Sequence, residues 1–295
     1  MRRIIAIAGA LAAAGLLVAS GSVPVSAAAR HPHSTPTLAA CANIIKKLEL
    51  TPGKLTVATD SPVLSPWFKN NQPTNQQGYE SALTYRIAHA LGIATKNVKW
   101  VTEPFASSYA AGTKNFDFDI NEVVATPTRA QDVTFSSSYY NLTQSIVAMK
   151  SDAIVKQHTP AQLRKYHYGF LNNTPAQLYV EKYVRPLTAL QHFDSVSAMV
   201  TALESGAIDA IVIDTPTGDY LADTLIIGAD AHPLATQVGQ FAAVGDEYYA
   251  LVLAKKNPLV TCLNVTISSL KSSDALHHLA TTWLSVYNNV PLLKP

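Results

Sequence analysis

Apolar residues along this chain fall into two patterns, short unbroken runs and stripes at helical spacing. A short helix reads at 44–48. Gly53 and Lys54 then introduce an apolar run at 55–59, a buried strand, and Leu83, Ile87, Ala90 and Leu91 recur at helical spacing across 81–91 before Gly92 closes that segment. Runs at 98–101 and 118–125 supply two more strands. Strands alternating with helices are the rhythm of a parallel sheet with covering helices. The second half repeats it: a strand at 168–170, a helix at 195–204 with Val196, Met199, Val200 and Leu203 on one face and Gly206 after it, and a buried strand at 208–213 with Asp214 at its C-terminal end. A strand at 249–255 and a last helix with Leu276, Leu279, Ala280 and Trp283 inward close the chain. These stripes are core and carry no ligand role, and the adjacent His277 and His278 face different directions on a solvated surface. No internal repeat is present.

The N-terminus breaks the pattern. Arg2 and Arg3 precede an apolar run at 4–18, too short to span a bilayer, and the small residues Val25, Ser26 and Ala27 follow, so 1–27 reads as an export signal cleaved near Ala27. Residues 28–43, rich in Ala, His, Pro, Ser and Thr, read as a flexible leader. Leu38-Ala39-Ala40-Cys41 has the form of a lipid-attachment box, but residues 30–36 separate it from the apolar run, so no lipid anchor is expected. The chain has 22 basic and 20 acidic residues, and loss of Arg2 and Arg3 with the signal leaves 20 of each. No basic field marks a nucleic acid as partner. The 295 residues, 48% hydrophobic, suffice for about two domains. Cys41 and Cys262 are the only cysteines. In an oxidising compartment they are a disulfide candidate, two separate buried thiols being the alternative, and their isolation from histidines argues against zinc.

One stretch carries chemistry. Residues 116–129, Phe-Asp-Phe-Asp-Ile-Asn-Glu-Val-Val-Ala-Thr-Pro-Thr-Arg, end an alternating run in a turn and a guanidinium, and Val133 to Ser136 and the pair Tyr139-Tyr140 follow. Arg129 offers five N–H donors in a rigid fork suited to a carboxylate, where a surface arginine after a turn is the plainer alternative. The stretch resembles the central signature of the bacterial extracellular solute-binding proteins of family 3, the polar amino-acid-binding proteins of ABC importers. The resemblance extends over about 54–286: Leu55 to Asp60 with Pro66-Trp67-Phe68 is similar to the family's first strand and aromatic loop. Gly78-Tyr79-Glu80 is similar to the element opening its first long helix, and the stretch from Leu203 to Ala210 with Ile213-Asp214 to its helix, strand and ligand aspartate. Actinobacterial members share the Pro-Trp-Phe, Phe-Asp-Phe-Asp-Ile-Asn and paired-cysteine pattern.

The resemblance implies an α/β fold of the two-lobe periplasmic-binding-protein type (type II-like), with two crossing strands as hinge, near 145–150 and 249–255. Lobe one would comprise 44–147 and 251–295, and lobe two 148–250. It implies an extracytoplasmic protein that closes on a small carboxylated solute, an amino acid, and delivers it to a membrane permease, with no cofactor, metal or catalytic residue. Arg129, after Thr126 in the turn, would hold the α-carboxylate with backbone amides near Val124 and Thr174, Asp214 would take the ammonium, and Asp60, Trp67 and Tyr79 would line the side-chain end. The chain departs from the pattern at three positions: Glu122 stands where the family has a Gly, Val124 where it often has Ser or Thr, and Asn173 replaces a Gly in the lobe-two turn. Alternation places Glu122 and Val124 on one side, toward the cleft, and a carboxylate there favours a basic solute. Two other functions stay open: a secreted dehydratase of the same fold, using Glu122 or Glu80 as acid toward prephenate or arogenate, and a solute-sensing subunit.

Overall fold

The structure is a computed structural model and describes residues 35–242, 247–284 and 290–293. The expected export signal lies outside them. Thr37 caps the first helix, α1 (Leu38–Ile44), its hydroxyl accepting from the Ala40 N–H. Ordered structure therefore begins inside the stretch expected to be a flexible leader. The reason is tertiary: Cys41 is fully buried and bonded to Cys262, which fixes a segment whose composition alone forms nothing.

The first lobe follows with β1 (Leu55–Thr59), α2 (Tyr79–Ala90), β2 (Val98–Thr102), α3 (Phe105–Ser108), β3 (Phe118–Asp119) and β4 (Val133–Phe135). After β5 (Tyr140–Asn141) the chain enters the second lobe: β6 (Gln144–Met149), α4 (Pro160–Leu163), β7 (Tyr168–Leu171), α5 (Ala176–Tyr179), β8 (Gln191–Phe193), α6 (Val196–Glu204), β9 (Ala210–Asp214), α7 (Thr215–Tyr220) and β10 (Ala235–Gln240). It returns through β11 (Tyr248–Tyr249) to β12 (Val252–Ala254), α8 (Leu259–Ser272) and α9 (Ala275–Trp283).

Two five-stranded sheets result, in the orders β2-β1-β3-β12-β4 and β10-β6-β9-β7-β8. In the first, β1 runs parallel to β2 and β3 while the returning β12 runs antiparallel between β3 and β4. Among the described residues, only the pair β5–β11 belongs to neither. The sheets are thus joined at 140–141 and 248–249. The first crossing falls several residues before the expected 145–150, because β6 is already a central strand of the second sheet, paired with β9 and β10.

Apolar spacing explains the packing. On α8, Leu259, Cys262, Leu263, Thr266, Ile267 and Leu270 are buried at three- and four-residue intervals, and α8 covers the first sheet together with α1, α2 and α9. Burying one such Leu or Ile contributes about 1.5 to 3 kcal/mol. The second sheet is covered on both faces by separate apolar clusters, one around Tyr168, Phe170 and Tyr179, the other around Met199, Leu203 and Ile211. Residues 290–293 lie against β10, where Gln240 N–H donates to Pro291 O at 2.9 Å and Leu293 N–H to Gln240 O at 2.8 Å. The expected strand at 118–125 is only two residues long, since Glu122 takes φ +53° and turns the chain.

Candidate functional site

Gly78 sets the first wall of the cleft between the lobes. Its φ of +94° and the lack of a side chain are both required, because a Cβ there would lie 2.4 Å from the Trp67 carbonyl oxygen. That close approach lets the first turn of α2 bind the aromatic loop, Tyr79 N–H donating to Pro66 O and Glu80 N–H to Trp67 O, each at 3.0 Å. Trp67 is thereby held fully buried, and its indole N–H donates across the cleft to Thr217 Oγ1 on α7 at 2.8 Å. Tyr79, Tyr140 and Tyr249 meet the indole edge-on, with centroids at 5.8, 5.2 and 5.4 Å. Tyr79 is committed behind it, its hydroxyl donating to Tyr139 O at 2.8 Å.

Carboxylates gather around this box. Asp214 closes β9 and caps α7, accepting the Thr217 N–H at 3.0 Å. Glu122 reaches from the other lobe, with Oε2 3.5 Å from the Thr217 hydroxyl, and its own N–H donates to Glu80 Oε1 at 2.8 Å. The Tyr139 hydroxyl also donates to Glu80 Oε1. Burial dominates their ionisation: it lifts Glu80 to about 8 against the pull of the Tyr139 and Glu122 donors, with the Asp214 charge adding to the rise. Asp214 rises to about 6, desolvation outweighing the donors on Thr217 and Trp67. Glu122 is pushed well above the usual carboxylate range by burial first and then by the Asp214 and Glu80 charges. Among the described residues none of the three forms an ion pair; the pairs present are His167–Asp209, His232–Asp230 and His278–Asp274, all exposed.

Arg129 stands apart from this cluster. Thr126 Oγ1 accepts its N–H at 3.2 Å and fixes the turn. Its guanidinium donates to Val124 O at 2.9 Å and, across the cleft, to Asn173 O, and lies over the Tyr109 ring at 3.9 Å with Phe105 at 5.8 Å. Val124 thus takes part through its carbonyl, while its buried side chain does not, and the Asn173 carbonyl is presented by a residue at φ +61°. Burial lowers the Arg129 pKa.

The structure therefore brings Trp67, Tyr79, Glu122 and Asp214 together, and Val124, Thr126, Arg129 and Asn173 into a second group, linked by the bridge between Val124 and Tyr249. Asp60 and Thr174 join neither. Asp60 accepts the N–H groups of Ser61 at 2.6 Å and Phe105 at 3.3 Å beside a cavity of about 110 Å³ lined also by Asn71, Trp100 and Thr102, and the Thr174 hydroxyl donates to Leu171 O at 2.8 Å. Sequence reading missed Thr217, Tyr140, Tyr249 and Tyr109. Two signals were available: Tyr140 belongs to the Tyr139-Tyr140 pair that follows the motif, and Thr217 stands three residues after Asp214, where a backbone N–H meets a helix cap.

Residues 55–286 match the bacterial extracellular solute-binding proteins, family 3. A probable histidine-binding protein of Neisseria gonorrhoeae is 23% identical over 183 residues, 61% of this chain and 66% of the relative, just under two thirds of its length. Solved structures give the same fold. An ancestral arginine-binding protein bound to glutamine superposes with TM-score 0.63 and 23% identity over 79% of this chain and 99% of its own. A substrate-binding protein of an amino acid ABC transporter from Streptococcus pneumoniae, bound to L-arginine, gives 0.63 and 21% over 83% and 98%. An ancestral amino acid-binding protein described as a precursor of cyclohexadienyl dehydratase gives 0.62 and 22% over 82% and 98%.

Proposed function

The chain belongs to the bacterial extracellular solute-binding proteins, family 3, and from that premise we propose that it captures an amino acid, basic ones before others, between its lobes. The observation that carries this is the meeting of Glu122 and Asp214, from opposite lobes, at Thr217 inside an aromatic box, with no cationic side chain among the described residues paired to either. Two carboxylates in a desolvated crevice call for a cation, and aromatic faces add to its binding. A solute touching both lobes stabilises the closed state over the open one. Arg129 supplies the other pole: its fork exchanges the Asn173 carbonyl for the solute carboxylate, a stronger charge-assisted acceptor. The relatives that serve ABC transporters support delivery to a membrane permease, and the family supports an extracytoplasmic place. Among the described residues no helix is long and apolar enough to cross a membrane.

A thermal-shift screen of the amino acids tests this, since a solute at about 100 times its Kd adds roughly 2.7 kcal/mol to stability. Arginine, lysine or histidine should give the largest shift. Tight binding of glutamate or aspartate with none by the basic residues overturns the reading. A secreted dehydratase is the second reading. Glu80, a buried carboxyl whose Oε2 has no hydrogen-bond partner and whose pKa burial raises, is the feature in its favour, and loss of prephenate or arogenate on incubation would establish it.

A further inference from the structure

The acids of the cleft form a row rather than a pair. Thr217 on α7 joins Asp214 and Glu122; behind Glu122 stands Glu80 on α2, whose Oε2 is buried with no hydrogen-bond partner; behind Glu80 lies the fully buried Asp119 on β3, with Ser108 beside it. Among the described residues, the elements facing Glu122 and Asp214 add no positive charge, and Lys114 is the one cation that acts on the Asp119 end. The loop before α2 brings Trp67, the segment entering β5 brings Tyr139 and Tyr140, and β11 brings Tyr249. At the far end Asp119 senses Asp60 and Glu103, and the nearby Lys114 ammonium is bonded to the carbonyls of Ser107 and Ala110. Arg129 is held by two carbonyls and a tyrosine ring.

Carboxylates crowded in a dry site without a cation cannot all ionise, because each charge loses its hydration and repels the next. We propose that this cleft exchanges protons for its solute: the Glu122–Asp214 pair keeps at least one proton while the lobes are closed on no solute, and an arriving cation displaces it to the bulk water. This rests on the reading of the solute as a cation and adds to it a regulation by pH. No covalent bond changes; O–H bonds of the carboxyls break, the protons pass to solvent or buffer, and the cation's charge balances the carboxylates left behind. Protons and solute then compete, so affinity rises with pH by as many powers of ten per unit as protons are released.

Calorimetric titration of arginine at pH 6.5 in phosphate and in MOPS, buffers of different ionisation heat, counts those protons. The expected result is release of about one proton per arginine bound, with affinity gaining roughly tenfold per pH unit between 5.5 and 7.5. Glu122→Gln should lower the count. Arginine binding with the same heat in both buffers, or with proton uptake, overturns the exchange and leaves the basic-solute reading standing. Absence of heat for arginine, lysine and histidine in both buffers, with no thermal shift, sinks that reading and the exchange with it.

Discussion

At Glu122 the backbone and the side chain favour different residues. The position sits at φ +53°, where a non-glycine residue is strained by roughly 1 to 2 kcal/mol, and its side chain adds a desolvated carboxyl. Glu122→Gly should therefore raise the urea stability of the solute-free protein by about 1 kcal/mol. It should weaken arginine binding at the same time. A variant that loses stability and keeps its affinity would assign Glu122 to the scaffold. Arg129→Ala should cost about 2 to 5 kcal/mol of binding, read by calorimetry, with Lys restoring only part, since a point charge cannot reproduce the fork. The identity of these residues was legible in the motif, and Glu122 aligned with a glycine marked the departure. Its aim was not: the strand ends at Asp119, so alternation with Val124 is not what turns Glu122 toward Thr217, and the left-handed turn is.

Among elements, α1 shows what periodicity cannot see. Its seven residues are too few to be stable alone, and they hold because Cys41 is tied to Cys262 on α8. Thiol labelling of the unfolded, unreduced protein should find no free cysteine. Replacing both with Ser should cost roughly 2 to 5 kcal/mol in chemical denaturation; a loss of a few tenths would show that packing alone holds the helix. Among amphipathic helices, α2, α6 and α9 stand where the stripes placed them, whereas α8, longer than any of them, was not read. Short elements were read poorly. β11 and β12 were read as one strand, because the apolar run continues through the residues where the chain passes from the hinge into the first sheet.

For the molecule as a whole, the buried acids set a direction with pH. Glu80 and Asp214 bind protons more tightly folded than unfolded, so the stability they contribute is complete below the unfolded carboxyl pKa of about 4 and is lost as pH rises through about 6 and then about 8. The melting temperature of the solute-free protein should fall from pH 5 to pH 8, and Glu80→Gln should flatten the fall. A curve that rises across that window would mean the acids are ionised and satisfied by groups not identified with them. The two-lobe plan was legible from the family motif and the order of strands and helices. The return of 290–293 to the edge of β10 was not, since a single bridge leaves no periodic signal.

Of the three tryptophans, Trp100 donates to Tyr85 within the first lobe at 3.2 Å and Trp283 packs on that lobe's core, whereas Trp67 is bonded to Thr217 across the cleft. Separation of the lobes would trade that bond for water, and indole emission moves to longer wavelength when its N–H is hydrated. With Trp100 and Trp283 replaced by Phe, the protein would carry a label-free optical gauge of its own closure, one whose colour could be followed through a stopped-flow titration to time the hinge.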